Sequence, residues 1–262
     1  MPFITINQLK VFYYENTIAG TPLVFIHGWI GSSKEWIHQL CYFNFKEHIT
    51  ILDLPGFGKS DKPKAKYSIE FFTKQILNFL KLLGCNEAIL IGHSLGGMIA
   101  LNITIHNPKL VKKLILISTS AAISQSLRDK FKLFWVNLIF KLVYKKFLKN
   151  IIKQILSPKF KNRELKKLYD NALKIPKSIV LRTFKNMTSK FNINNQLSQI
   201  SQPTLIIHGN EDKIISHSMN NELGNLIPNS ERFSIENGSH RLMVDNYKKV
   251  NKIIDDFIQK IN

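Results

Sequence analysis

Short runs rich in β-branched and other apolar residues alternate along this chain with longer segments whose apolar positions recur every three or four residues. The runs at 4–6, 9–14, 23–26, 49–52, 88–91, 114–117, 204–207 and 232–235 predict strands, the first two forming an antiparallel hairpin. Helical period marks 69–83, 98–106 and 247–261. Such alternation predicts an α/β fold, a mostly parallel sheet flanked by helices on both faces. No internal repeat or low-complexity tract interrupts it.

The pattern breaks once. From Ala121 to about Ile200 the strands stop, and F-K-L-F-W-V-N-L-I-F-K-L-V-Y-K-K-F-L-K-N-I-I-K-Q-I-L predicts one or two amphipathic helices rich in aromatic residues. This stretch reads as an inserted helical cap. It holds 18 Lys and Arg against 3 Asp and Glu, a surplus of 15 in a chain whose formal net charge is +19.

A chain of 262 residues, 44% hydrophobic, can bury a sizeable core as one domain, which argues against disorder. Cys41 and Cys85 match no metal or redox spacing; they are expected to be ordinary buried thiols, with no disulfide framework. The start M-P-F-I-T-I-N-Q-L-K lacks the basic, apolar and small-residue parts of a signal peptide, so a cytoplasmic location is expected. No run approaches the ~20 apolar residues that span a bilayer; L-F-W-V-N-L-I-F at 133–140 is short and bounded by lysines. The expectation is a soluble protein.

Candidate chemistry centres on I-G-H-S-L-G-G, at the end of the run 88–91. A strand that turns sharply into a helix needs small residues on both sides of the turn, and G-x-S-x-G there lifts the Ser94 hydroxyl clear of the sheet as a nucleophile. A serine hydroxyl needs an imidazole to take its proton and a carboxylate to orient that imidazole. Asp212 in H-G-N-E-D and His240 in E-N-G-S-H each follow a predicted strand, and reactive groups gather at the carboxyl ends of parallel strands. Glu211 is the alternative acid. His93 is expected to pack in the turn, His208 to be a structural loop residue, and His38, His48, His106 and His217 have no comparable context. The developing oxyanion needs N–H donors. Leu95, after the nucleophile, supplies one, and Trp29, in the H-G-W loop after the run 23–26, the other.

Five motifs in order, H-G-W-I-G-S-S at 27–33, D-L-P-G-F-G-K-S at 53–60, G-H-S-L-G-G at 92–97, H-G-N-E-D at 208–212 and G-S-H at 238–240, resemble the α/β-hydrolase superfamily over nearly the whole chain. The resemblance implies the α/β-hydrolase fold, an eight-stranded, mostly parallel sheet with a helical cap inserted after the sixth strand. Residues 1–120 and 201–262 would form the core and 121–200 the cap. It also makes Asp53 and Ser60 structural. Ser239 stands where relatives commonly have Gly, and R-L-M-V-D-N-Y replaces the acidic residue and proline often found beyond the histidine.

A serine at the turn, where epoxide- and halide-processing relatives carry Asp, implies an acyl-enzyme and attack on a carbonyl. Carboxylic ester hydrolysis is the leading expectation. Lactonases, thioesterases, C–C hydrolases and perhydrolases share the triad, and a ligand receptor or pseudoenzyme is the non-enzyme alternative. No cofactor or metal is expected. H-G-W and D-L-P-G-F-G also resemble the esterases that act on pimeloyl groups carried by acyl carrier protein. The basic cap then has three readings: a solvated face, a surface for an acidic acyl carrier protein, or a contact with anionic lipid. Nothing resembles a nucleic-acid-binding module.

Overall fold

The computed structural model describes residues 3–123, 144–155, 167 and 170–260. The eight predicted strands form one sheet: β1 (Phe3–Ile6), β2 (Leu9–Glu15), β3 (Leu23–Ile26), β4 (Ile49–Leu52), β5 (Ala88–His93), β6 (Val111–Ile117), β7 (Thr204–Gly209) and β8 (Ser230–Ile235). Their order is β1-β2-β4-β3-β5-β6-β7-β8. β1 pairs antiparallel with β2 and β2 antiparallel with β4; every later pairing is parallel. This is the eight-stranded, mostly parallel sheet that the sequence resemblance implies.

Several boundaries move. β6 begins at Val111, three residues before the predicted start, because Lys113, only 4% exposed, finds acceptors inside. Its Nζ donates to the carbonyls of Phe257, Ile258 and Lys260, just where the last helix ends with unsatisfied C=O groups. That helix stops at Ile258 rather than 261, and the helix after Ser94 starts at Leu95 rather than 98.

Helices cover both faces: α1 (Ile37–Phe43), α2 (Ile69–Leu82), α3 (Leu95–His106), α4 (Tyr144–Ile155), α5 (Lys177–Ser189), α6 (His217–Leu226), α7 (Leu242–Asp245) and α8 (Tyr247–Ile258). Alternation along the strands sorts the core in two. Val24, Ile26, Leu90 and Leu116 pack with α2, α3 and α6, while Leu23, Phe25, Ile91 and Ile117 pack with α1, α7 and α8. α3 is apolar around its whole circumference, so all of Leu95 to Thr104 is buried. α2 is capped by Ser68, whose side chain accepts from the Phe71 N–H at 3.3 Å.

Both cysteines depart from expectation: Cys41 is exposed and Cys85 half-buried. α1 spends its inner face on Gln39 and Phe43, which turns Cys41 outward. Cys85 lies in the connection from α2 to β5, its thiol donating to the Glu87 carbonyl at 3.2 Å.

Between β6 and β7 the chain makes the long excursion that contains α4 and α5. Its two ends meet: Ala122 bridges Asn192, and the Ile193 N–H donates to the Ala121 carbonyl at 3.0 Å. Of the predicted aromatic-rich helical stretch, Tyr144–Ile155 is helical; the 133–140 run and Lys141 lie outside the described residues. α4 buries Tyr144, Leu148 and Ile152 and exposes Lys145, Lys149 and Lys153 one position on, a four-residue repeat on each face. Among the described residues no helix is long and apolar enough to cross a membrane.

The turn into α3 depends on close backbone approach. A Cβ on Gly96 would sit 2.1 Å from the Ile26 carbonyl oxygen in β3. Gly96→Ala should therefore cost at least about 3 kcal/mol. Gly84→Ala, where φ is +68° but nothing lies within 4 Å, should cost only about 1 kcal/mol. Urea unfolding of the two variants checks the ranking.

Candidate active site

β5 runs through His93, and Ser94 alone makes the turn into α3, with φ 51° and ψ −114°. That conformation is costly for a residue with a Cβ, of order 1–3 kcal/mol, and persists only where its surroundings over-determine it. Here they do. The Ser94 N–H donates to the Ile117 carbonyl at 3.0 Å, and its carbonyl accepts from the Gly97 N–H at 2.9 Å, the Met98 N–H at 3.1 Å and Thr119 Oγ1 at 2.7 Å. Backbone polarity is thus consumed by the neighbouring strand and the first helical turn. The side chain borders a cavity of about 520 Å³.

His240 borders the same cavity. Its Nδ1–H donates to Asp212 Oδ2 at 2.8 Å, and the carboxylate side chain is fully enclosed. Asp212 Oδ1 accepts from the Ile214 and Ile215 N–H groups at 2.8 and 2.9 Å. Burial would raise the Asp212 carboxyl, but His240 and these two N–H groups outweigh it and hold the group below its usual value. With Nδ1 committed as donor, His240 Nε2 is left as the acceptor nitrogen. Glu211, the alternative acid, is exposed. The geometry therefore pairs His240 with Asp212.

His93 is buried, but it is not idle packing. Its Nε2–H donates to the His240 carbonyl at 2.8 Å, bracing the loop that carries His240 from the residue beside Ser94. Its Nδ1 lies 3.5 Å from the carboxylate of Glu35. Glu35 also accepts from the Gly28 N–H at 3.4 Å. Burial alone would raise the Glu35 carboxyl; His93, then Arg241 and His27, reverse that and bring it down to about 2. Burial likewise draws His93 down from its usual value, with Glu35 opposing.

The H-G-W loop is fixed from within. His27 Nε2 accepts from the Leu54 N–H at 2.9 Å, which makes Nδ1 the donor to the Gly28 carbonyl at 2.8 Å. Ile30 is held at φ 58°, a second strained residue on the cavity lining. The loop places Trp29 on the cavity lining, and Leu95, the first residue of α3, follows Ser94 directly. The Leu95 N–H, in the first turn of α3, has no intrahelical acceptor. Trp29 is 9% exposed, its ring 5.2 Å from that of Phe184 in α5, which in turn lies 5.6 Å from Phe147 in α4.

The D-x-P-G-x-G loop ties neighbouring segments together. Asp53 accepts from the Ser33 N–H at 2.6 Å and the Lys59 N–H at 2.7 Å, while Ser60 Oγ donates to the Asp53 carbonyl at 2.6 Å and accepts from the Phe12 N–H at 2.9 Å. His208 is buried, its ring 5.8 Å from that of His217, and burial draws it below its usual value while Asp212 opposes. Just before His240, the unusual Ser239 donates to Asp245 and accepts from the Arg241 N–H at 3.1 Å. Sequence reading passed over two residues of the cavity, Glu35 and Arg241. In K-E-W and S-H-R they look like ordinary surface charges, and only their burial separates them from the other charged residues. Among the described residues no group of three or more His, Cys, Asp or Glu side chains could hold a metal ion.

A family model described as alpha/beta hydrolase fold matches residues 21–247. The pimeloyl-[acyl-carrier protein] methyl ester esterase of Wigglesworthia glossinidia brevipalpis is 32% identical over 272 residues, covering 97% of this chain and 100% of that protein. An uncharacterized hydrolase of Bacillus subtilis, YugF, is 27% identical over 271 residues, covering 97% of this chain and 96% of that one. Among solved structures, the esterase from Exiguobacterium antarcticum superimposes with a TM-score of 0.89 at 20% identity, covering 98% of this chain and 99% of that one, a likeness of fold.

The depressed Glu35 carboxyl makes a stability prediction. A carboxyl at about 2 when folded and at its ordinary 4.5 when unfolded contributes about 3 kcal/mol, fully present above about pH 4.5 and lost as pH falls toward 2. Glu35→Gln should lower Tm at pH 7 and flatten the acid limb between those values. Thermal melts of both proteins from pH 7 to 2.5 test this; parallel curves would contradict it.

Proposed function

The chain belongs to the alpha/beta hydrolase fold family, and from that premise we propose that it is a serine hydrolase cleaving a carboxylic ester, or a related acyl substrate, through an acyl-enzyme. One observation carries this reading: the strained Ser94 turn and His240, which is paired behind with the enclosed Asp212, border one largely apolar cavity. Ser94 Oγ adds to the ester carbonyl while its proton passes to His240 Nε2. The imidazolium is stabilised by Asp212, which stays ionised. The oxyanion is met by the N–H groups of Leu95 and Trp29, preorganised by the helix start and the braced loop. Collapse expels the alcohol, which takes the proton from His240. Water then attacks the acyl-Ser94 by the same path and releases the acid.

In this reading residues 121–200 are a cap on a core formed by 1–120 and 201–262. The closed neck at Ala122 and Asn192 supports the division, and Phe147 and Phe184 supply a lipophilic wall opposite Ser94. The exposed lysines of α4, together with the carrier-linked substrate in the name of the 32%-identical relative, favour a second form of the reading. There the ester arrives on an acidic acyl carrier protein.

Ser94→Ala should lose on the order of 10⁶ in turnover of p-nitrophenyl butyrate with an unchanged circular dichroism spectrum. Asp212→Asn should lose about 10⁴, whereas Glu211→Gln should stay near wild type. Retained turnover in a folded Ser94→Ala would overturn the assignment, and the reverse ranking of the two acids would move the orienting carboxylate by one residue.

For the carrier form, kcat/KM on a carrier-linked methyl ester should fall with added salt, and Lys146→Gln/Lys149→Gln/Lys153→Gln should reproduce the fall. Turnover of p-nitrophenyl butyrate should respond to neither. Loss of sedimentation with anionic vesicles in the triple variant, with carrier turnover intact, would point instead to lipid. A null result in both assays leaves the basic face a solvated surface.

A further inference from the structure

The cavity holds one charged side chain that ester cleavage does not use. Arg241 follows His240 and borders the same cavity, yet it is only 9% exposed. Its backbone is occupied: the N–H donates to Ser239 Oγ at 3.1 Å, and the carbonyl accepts from the Val244 and Asp245 N–H groups at 2.8 and 3.0 Å. Its guanidinium is not. Nε is buried with no hydrogen-bond partner, and among the described residues the group forms no ion pair. A guanidinium cannot shed its proton, offers five donors and accepts nothing. A buried charge of this kind is stable only beside a matching anion.

The protein's own acids do not fill that place. Asp212 is turned to His240 and to two N–H groups. Glu35 feels the charge of Arg241 but forms no ion pair with it; its carboxylate lies 3.5 Å from His93 Nδ1 and accepts from the Gly28 N–H at 3.4 Å. Lys213 adds a second cation to the lining. Against the one ionised carboxylate of the lining, Glu35, stand two cations, the enclosed Arg241 and the more exposed Lys213, so the lining carries a surplus of positive charge. Arg241 follows His240 directly in the chain and shares the cavity lining with Ser94, His93 and Glu35, so it stands at the nucleophile's end. Phe147, Ile151, Phe184 and Met187 provide the apolar end.

We propose that Arg241 is a substrate-recognition residue for a carboxylate, and that the preferred substrates are small free esters carrying that carboxylate a few bonds from the scissile carbonyl, with an apolar remainder against α4 and α5. The inference rests on the serine-hydrolase reading and narrows its substrate class. The planar fork of Arg241 matches a carboxylate with two parallel N–H···O bonds. A chain delivered by a carrier protein needs cations on the outer surface; a cation inside the cavity answers to charge brought into it.

The test compares hexyl hydrogen succinate with hexyl succinamate, which replaces the carboxylate by a neutral amide of the same shape. Wild type should favour the acid by about 10- to 100-fold in kcat/KM, expressed in KM. Arg241→Gln should bring the ratio close to one, with Arg241→Lys between, since a lysine keeps the charge and loses the fork. A wild-type ratio at or below one, or a ratio unchanged in Arg241→Gln, overturns the proposal while leaving the hydrolase reading intact. A second arm needs no catalysis. Succinate in the millimolar range should raise the Tm of folded Ser94→Ala, succinamide should not, and the shift should vanish in Ser94→Ala/Arg241→Gln. Absence of a succinate shift, or its survival without Arg241, also overturns the proposal. Failure of the hydrolase reading itself shows differently, as ester turnover that survives Ser94→Ala.

Discussion

The backbone at Ser94 is the constraint on which the rest depends. A residue at positive φ between a buried strand and a buried helix is stable only if everything around it is already in place. Four hydrogen bonds hold it: from β6, from the first turn of α3 and from Thr119. The contact of Gly96 with Ile26 lets α3 start directly under β3, the strand that leads into the H-G-W loop. The nucleophile and the loop proposed to meet the oxyanion are thereby held at one sheet edge by the same crossing.

A buried polar network extends this rigidity to His240. His93, one residue before Ser94, donates to the His240 carbonyl and faces Glu35, which accepts from Gly28. The H-G-W loop, the turn and the histidine loop are joined through two side chains that take no part in the proposed proton transfers. Asp212 works on the other side of His240, its own orientation set by the N–H groups of Ile214 and Ile215. Low local polarity strengthens each of these bonds and makes any unpaired member costly. That is why Arg241, with Nε buried and unpartnered and no ion pair among the described residues, stands out.

The excursion between β6 and β7 is attached differently. It is closed at its neck by the Ala122–Asn192 bridge and reaches the core through ring contacts, Phe147 edge-on to Phe184 and Phe184 tilted against Trp29. Apolar contacts of this kind are adaptable in shape, whereas the charges at the cavity's inner end are directional. The division suits a site whose reacting groups are rigid and whose lipophilic wall sets chain-length preference. Positive charge is likewise divided, between a solvent-facing row on α4 and the enclosed guanidinium of Arg241, and the two act over different distances.

The sequence by itself determined the order and kind of the elements. Short apolar runs rich in β-branched residues mark all eight strands, and the glycines around Ser94 mark the turn, because these patterns are local consequences of backbone geometry. It also carried the candidate triad, since strand ends bring Asp212 and His240 to the edge that holds Ser94. What it left undecided was which charged residues are inside. Lys113 shortened the predicted β6, Glu35 and Arg241 passed as surface charges, and Cys41 was assigned to a core it does not enter. Burial of a charge depends on partners brought from elsewhere in the chain, as the carbonyls at the end of α8 are brought to Lys113 from more than 140 residues away. No local pattern encodes such partners, so tertiary structure alone decides whether a lysine caps a helix, a glutamate braces a loop or an arginine is left with a place for an anion.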